Sequence, residues 1–115
     1  MRKELPDFSL PDWFDNVYAV VRLIPTGHVA TYGLIADAVS GVSITARQVG
    51  AAMRFAPDDI PWHRVVGAHG VLPIARRSPE LHRMQRSLLE AEGVAFGGRS
   101  NSTINMALSQ HRWIG

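Results

Sequence analysis

The sequence predicts a mainly α domain with a small β hairpin, laid out as a winged helix-turn-helix. Three observations carry that expectation. Apolar residues recur at three- and four-residue steps in separate stretches of the first 96 residues. Two of the helical stretches are joined by a short connection containing Gly41. Two β-prone runs flank Gly67-Ala68-His69 further on, as a wing would.

Each element has its own signal. After Pro11-Asp12, the residues Phe14, Val17, Val21 and Ile24 mark a first amphipathic helix, which Pro25 and Gly27 stop. Val29-Ala30-Thr31 is short and β-prone, and it leads into a second helix from Tyr32-Gly33 to about Val39, ended by Ser40-Gly41. Ser43 or Thr45 can cap a third helix running to about Phe55, before Pro57 breaks it. Arg64-Val65-Val66 and Gly70-Val71-Leu72 then read as the hairpin. A last helix starts at Pro79, carries Leu81, Met84, Leu88 and Ala91 on one side, and closes at Glu92-Gly93, where glycine can turn left-handed. The expected division is one domain over residues 1–96, with 1–10 as an N-terminal arm and 97–115 as a weakly structured, Gly-rich tail. Met106, Leu108 and Trp113 could form a short helix in that tail.

Composition bounds the function. A chain of 115 residues supports one modest core, and 46% hydrophobic against 19% charged residues is ordinary for a globular protein. No stretch approaches the ~20 apolar residues of a membrane span, and Met1-Arg2-Lys3-Glu4-Leu5-Pro6 lacks a secretion signal's apolar run. A soluble, cytoplasmic monomer is expected. Lys and Arg total 12 against 10 acidic residues, and Lys3 is the one lysine. Positive charge therefore sits almost wholly on guanidinium forks, which suit phosphates and bases better than ammonium groups do. The chain has no cysteine, so it has no disulfide and no thiolate. His28, His63, His69, His82 and His111 show no metal-ligand spacing, and neither a metal nor a cofactor is expected.

On the third helix, Arg47, Gly50, Ala51 and Arg54 share one face while Val49, Ala52 and Met53 share another. The second face should pack inward. The first has cations at its ends and almost no side chain between them, so the helix backbone can approach a partner closely. Packing of Gly50 and Ala51 against a neighbouring helix is the other reading of the same pattern.

Three segments carry a resemblance. They are Pro25-Thr26-Gly27-His28-Val29-Ala30-Thr31-Tyr32-Gly33, Ala46-Arg47-Gln48-Val49-Gly50-Ala51-Ala52-Met53-Arg54, and Pro61-Trp62-His63-Arg64-Val65-Val66. In order and spacing they resemble the O6-alkylguanine-DNA alkyltransferases, and the last segment is similar to their Pro-Cys-His-Arg-Val motif with Trp62 in place of the alkyl-accepting cysteine. That substitution matches the alkyltransferase-like proteins. Likeness runs from about Phe14 to Phe96 and implies the fold of the alkyltransferase C-terminal domain.

The resemblance also implies roles. The face of Gly50 and Ala51 would enter the minor groove, Arg47 would insert into the base stack, and Tyr32 would press on the phosphate of a nucleotide rotated out of the helix. Trp62 would line the pocket for the base. His63 and Glu92 match the pair that activates the cysteine in true alkyltransferases, so here they should form a structural hydrogen-bonded pair. An arginine near the bound base would correspond to Arg76, or to Arg77 if the register shifts by one. Two departures stand out: Phe55-Ala56-Pro57-Asp58-Asp59-Ile60 replaces the family's Gly-Asn hinge, and Pro73-Ile74-Ala75-Arg76-Arg77 replaces its Tyr-Ser-Gly-Gly loop.

The implied function is non-enzymatic recognition of O6-alkylguanine in double-stranded DNA by nucleotide flipping, marking the lesion for nucleotide excision repair proteins. An indole has no nucleophilic atom, so an alkyl group cannot be accepted at Trp62. A helix-turn-helix transcription regulator without lesion specificity is the alternative, but it needs base-reading side chains that Gly50 and Ala51 do not offer. A residual enzyme acting through His63 is a third class.

Overall fold

In the computed structural model, residues 10–97 and 103–104 are described, with backbone alone at 75–76 and 103–104. The expected arm before Leu10 and the helix expected through Met106, Leu108 and Trp113 lie outside them. Four helices dominate: α1 (Trp13–Val21), α2 (Tyr32–Ala38), α3 (Ala46–Arg54) and α4 (Pro79–Ala91). None of the described helices is long and apolar enough to cross a membrane.

Three of the four helices, α2, α3 and α4, start where a side chain satisfies a first-turn N–H group, whereas Asp12 before α1 makes no such bond. Thr31 accepts from Leu34 N at 3.1 Å to open α2, and Ser78 accepts from Leu81 N at 3.1 Å to open α4. Of the two candidate caps for α3, Thr45 is used: its hydroxyl accepts from Gln48 N while Gln48 Oε1 accepts from Thr45 N at 2.9 Å, a reciprocal capping box. Gly93 (φ +87) ends α4 in the left-handed region, and Val94 N–H reaches back to Leu89 O at 3.0 Å.

Strand pairing differs from the expectation. Val65–Val66 (β2) does not fold back on 70–72 as a hairpin; it pairs in parallel with Ala30–Thr31 (β1), in the register Ala30 to Val65 and Thr31 to Val66. Residues 68–70 form a tight turn instead, closed by Gly67 N–H donating to Val71 O at 2.7 Å. The reason is burial on both faces. Val65 and Ala30 belong to the core between α1, α2 and α3, whereas Val66 and Val29 belong to a second core with Leu72, Leu89 and Val94. A hairpin would leave one face to water; a central parallel ladder covers both. Among the described residues the antiparallel pairing lies further on, between Phe96–Gly97 (β3) and Thr103–Ile104 (β4).

The first core contains all four residues of the first periodic stretch: Phe14, Val17 and Val21 of α1 and Ile24 just after it are 5% exposed or less. Buried Tyr18 on α1 donates its hydroxyl to Ala52 O of α3 at 2.8 Å, fixing α3 against α1. The α4 stripe turns out otherwise. Leu81, Met84 and Leu88 are 40%, 51% and 38% exposed, and Leu89 and Gln85 are the residues buried instead.

One carboxylate ties the two cores together. Glu92, just past α4, accepts Arg64 Nη2 at 2.8 Å, Arg64 Nε at 3.0 Å, His63 Nε2 at 2.8 Å and the Gly27 N–H at 3.0 Å. Arg64 also donates to Ile24 O at 2.8 Å and to Thr26 Oγ1 at 3.0 Å. Burial alone would raise the Glu92 carboxyl, but the Arg64, Gly27 and His63 donors outweigh it and hold the group at about 2, against 4.5 when free. Gly27 has φ +85, and a Cβ there would meet Glu92 O at 3.2 Å, so glycine is required at this junction.

Because the folded state lowers the carboxyl from 4.5 to about 2, the unfolded chain binds the extra proton between those values, and stability is lost as pH falls through that window. Glu92→Gln should therefore cost on the order of 3 kcal/mol near neutral pH, since it leaves Arg64 underpaired in a partly buried site. In urea titrations the gap between wild type and variant should shrink as pH is lowered toward about 2. A gap that stays constant over that range would mean the carboxylate charge is not what holds the junction.

Candidate nucleic-acid interface

α3 sorts its faces as the spacing predicts. Val49 and Ala52 are fully buried and Met53 packs on the core, while Arg47 and Arg54 are exposed and Gly50 and Ala51 lie between them. Packing of Gly50 against a neighbouring helix is ruled out: a Cβ built there meets nothing within 4 Å. The small-residue surface opens outward.

Two hollows meet along that surface. The outer one, about 510 Å³, is lined by Arg47, Gly50, Ala51 and Arg54 of α3 together with Tyr32 and Arg77. The inner one, about 250 Å³, is lined by Tyr32, Gly50, Met53 and Arg54, with Trp62 and the α4 residues Leu81, Met84 and Gln85 completing the wall. Because Tyr32, Gly50, Arg54 and Arg77 line both, the outer face of α3 leads without interruption to the indole. The inner volume lies just below the ~300–1,000 Å³ of drug-sized sites and suits one flat base-sized group.

Trp62 is delivered there by its backbone. It begins a 3-10 turn (Trp62–Arg64) in which Arg64 N–H donates to Pro61 O at 3.0 Å, directly ahead of β2. Its ring meets that of His63 edge-on, with centroids 6.3 Å apart. His63 points the other way, into the junction: Glu92 is ionised and can only accept, so the proton of that 2.8 Å contact sits on His63 Nε2. The expected His63 and Glu92 hydrogen bond is thus present; His63 does not line the inner hollow beside α3 but borders, with Trp62 and Arg64, a separate hollow of about 430 Å³.

Tyr32 heads α2 at the point where the hollows join. Burial raises its hydroxyl above the ordinary value and the positive charge of Arg77 partly opposes that, so the phenol stays protonated at neutral pH and can donate a hydrogen bond. The Arg76 side chain lies outside the described residues, and Arg77, its neighbour in register, lines both hollows. Tyr32, Gly50, Arg54 and Trp62 therefore converge on one cavity, and Arg47 and Ala51 line the approach.

Sequence reasoning missed Arg64 as the principal partner of Glu92, and it missed the α4 wall. Two signals existed. Arg64 sits beside His63 in the same motif, and Gln85 falls four residues after Leu81 and four before Leu89, on a helical face where a polar side chain needs a reason.

Similarity to known proteins agrees with this geometry. The model of the 6-O-methylguanine DNA methyltransferase DNA-binding domain matches residues 12–94. A protein of Escherichia coli K12 described as a DNA base-flipping protein is 38% identical over 100 residues, covering 85% of this chain and 71% of that one. Alkyltransferase-like protein 1 of Schizosaccharomyces pombe is 36% identical over 106 residues, 90% of this chain and 96% of that one. Among solved structures, S. pombe Atl1 in complex with damaged DNA containing O6-carboxymethylguanine superposes with a TM-score of 0.73 at 34% identity, covering 92% of this chain and 98% of that one. The O6-methylguanine methyltransferase of Mycobacterium tuberculosis superposes with a TM-score of 0.60 at 36% identity, over 75% of this chain and 51% of that one. On the family match and these identities, the chain belongs to the family of the 6-O-methylguanine DNA methyltransferase DNA-binding domain, among its alkyltransferase-like members.

Proposed function

We propose that this protein is a non-enzymatic reader of O6-alkylguanine in duplex DNA. The observation that carries the reading is the continuity between a small, cation-flanked helix face and a base-sized cavity walled by Trp62, in a chain without cysteine. In this mode Gly50 and Ala51 let α3 settle into the minor groove while Arg47 and Arg54 engage phosphates and bases at either end. Arg47 takes the place of the extruded nucleotide. A planar guanidinium can stack on the flanking bases and still hydrogen-bond the orphaned partner, offsetting part of an extrusion that costs a few kcal/mol.

Tyr32, held protonated at the junction of the hollows, donates to the phosphate beside the target and favours its rotation. The base then rests against Trp62. An indole offers a flat apolar surface and one N–H donor but no nucleophile, so nothing is transferred and the lesion leaves unchanged. The bound, bent duplex is the mark on which nucleotide excision repair acts. The relatives' descriptions as base-flipping and alkyltransferase-like proteins, and Atl1 held on damaged DNA, support the same reading.

Titration of labelled duplexes tests it. An O6-methylguanine duplex should bind more tightly than its guanine counterpart, and Arg47→Ala should weaken lesion binding by about 2 kcal/mol, roughly thirtyfold, with little loss of thermal stability. Equal affinity for the two duplexes sinks the proposal. Intact-protein and oligonucleotide mass spectra after incubation should show neither alkyl transfer nor strand or base loss.

Gly50→Ala separates folding from binding. With nothing within 4 Å of the added methyl, the variant should gain up to about 1 kcal/mol of stability from helix propensity. It should nonetheless bind DNA less tightly, because the methyl holds the helix backbone away from the groove. A variant that is both more stable and equally tight in binding would show that Gly50 does not mark the contact face.

A further inference from the structure

The chain has no cysteine, so its four methionines carry all of its sulfur. Met1 and Met106 lie outside the described residues, and the other two, Met53 and Met84, both line the Trp62 cavity. Their surroundings differ. Met53 is half-buried on α3 and packs against the first core, whereas Met84 is 51% exposed, more than Leu81 or Leu88 on the same stripe of α4. A thioether side chain is thus open to solvent and also borders the space for the base.

We propose that Met84 is a modification site: hydrogen peroxide oxidises its thioether to the sulfoxide, and the modified side chain lowers the cavity's affinity for an extruded base. The inference rests on the lesion-pocket reading above. A sulfur lone pair attacks one peroxide oxygen as the O–O bond breaks. Sulfur is oxidised by two electrons, and the departing hydroxide takes the proton of the transferred oxygen to leave as water. Exposed thiolates ordinarily react with peroxide first, and this chain has none. The product replaces a flexible apolar group with a polar, chiral one that carries a strong acceptor oxygen. Neither the face of a base nor an O-alkyl chain donates a hydrogen bond to that oxygen, so closing a base over it strips its water without replacement. The proposed groove contacts of Arg47, Gly50 and Ala51 belong to the outer hollow, which Met84 does not line. Oxidation therefore acts on the flipped base and spares the grip on undamaged duplex. Because sulfoxide reductases return the thioether, the change is reversible.

The test treats the full chain with hydrogen peroxide, quenches it with catalase, and titrates it with O6-methylguanine and guanine duplexes. Peptide mass spectra should show an added oxygen at Met84 before any at Met53. Affinity for the O6-methylguanine duplex should then fall about tenfold, the order expected for one buried polar group left unpaired. The guanine duplex should bind as before, which also reports that the fold survives. Methionine sulfoxide reductases with dithiothreitol should restore lesion binding. In Met84→Leu, whatever its own affinity, peroxide should leave that affinity unchanged, and in Met53→Leu the fall should persist. Oxidation of Met53 ahead of Met84, unchanged lesion affinity once Met84 is oxidised, an equal loss for the guanine duplex, or the same fall in Met84→Leu overturns the assignment of Met84. Failure of the untreated protein to prefer O6-methylguanine over guanine overturns the lesion-reading function itself, so the two failures are told apart.

Discussion

The Glu92 carboxylate joins three separated stretches of chain by accepting donors from two of them, and the geometry of the cavity depends on that convergence. Gly27 belongs to the loop leading into β1, His63 and Arg64 to the turn that presents Trp62, and Glu92 itself to the end of α4. A buried carboxylate with one partner would be a liability, since removing it from water costs several kcal/mol. Here four N–H donors making five contacts with two oxygens saturate its acceptor capacity, and the guanidinium goes on to satisfy Ile24 O just beyond α1. These contacts tie the backbone of residues 63–64 to the end of α4, directly after the residue whose indole lines the cavity.

Stability and close approach pull against each other on α3. Gly50 weakens the helix and satisfies no internal packing need, because the space above it is empty. The helix is secured elsewhere. The capping box at Thr45 and Gln48 satisfies its first N–H groups, Val49 and Ala52 anchor its inner face, and the Tyr18 hydroxyl takes up Ala52 O near its end. Every one of these devices acts on the inner side or at a terminus, leaving the outer surface small. A helix serving the core alone would have no cause to concentrate its reinforcement in this way.

The helices were legible in the sequence because each is written in a local code: apolar spacing, a capping hydroxyl, a glycine after the last turn. Thr31, Thr45 and Ser78 all cap, and Gly93 closes α4 in the left-handed region. The positions of β1 and β2 were legible too, but their pairing was not. Val65 and Val66 look the same in a hairpin edge and in a two-sided ladder, and the parallel pairing with Ala30 and Thr31 spans a sequence distance that no local pattern encodes. The α4 stripe misled for a related reason. Leu81, Met84 and Leu88 have helical spacing, but spacing says that they share a face and not whether protein lies opposite that face. In this molecule Leu81 and Met84 border a cavity and the buried position went to a glutamine.

A reader with no chemical exit has to draw all its discrimination from binding, and part of that discrimination resides in the DNA. In the proposed mode every target must leave the stack before it touches Trp62, and extrusion costs least for a base that already pairs badly. O6-alkylation removes the N1 proton that guanine uses toward cytosine, so the lesion starts closer to the flipped state than any normal guanine. In that mode the protein need supply only the remainder: a cation to fill the gap and a flat wall for the base. Because nothing irreversible follows, complex lifetime is set by dissociation alone, and differences among bound bases should appear chiefly in off-rate. In the proposed mode, an indole at position 62 selects by the residence time of a base, where a thiol would select by the reactivity of an atom.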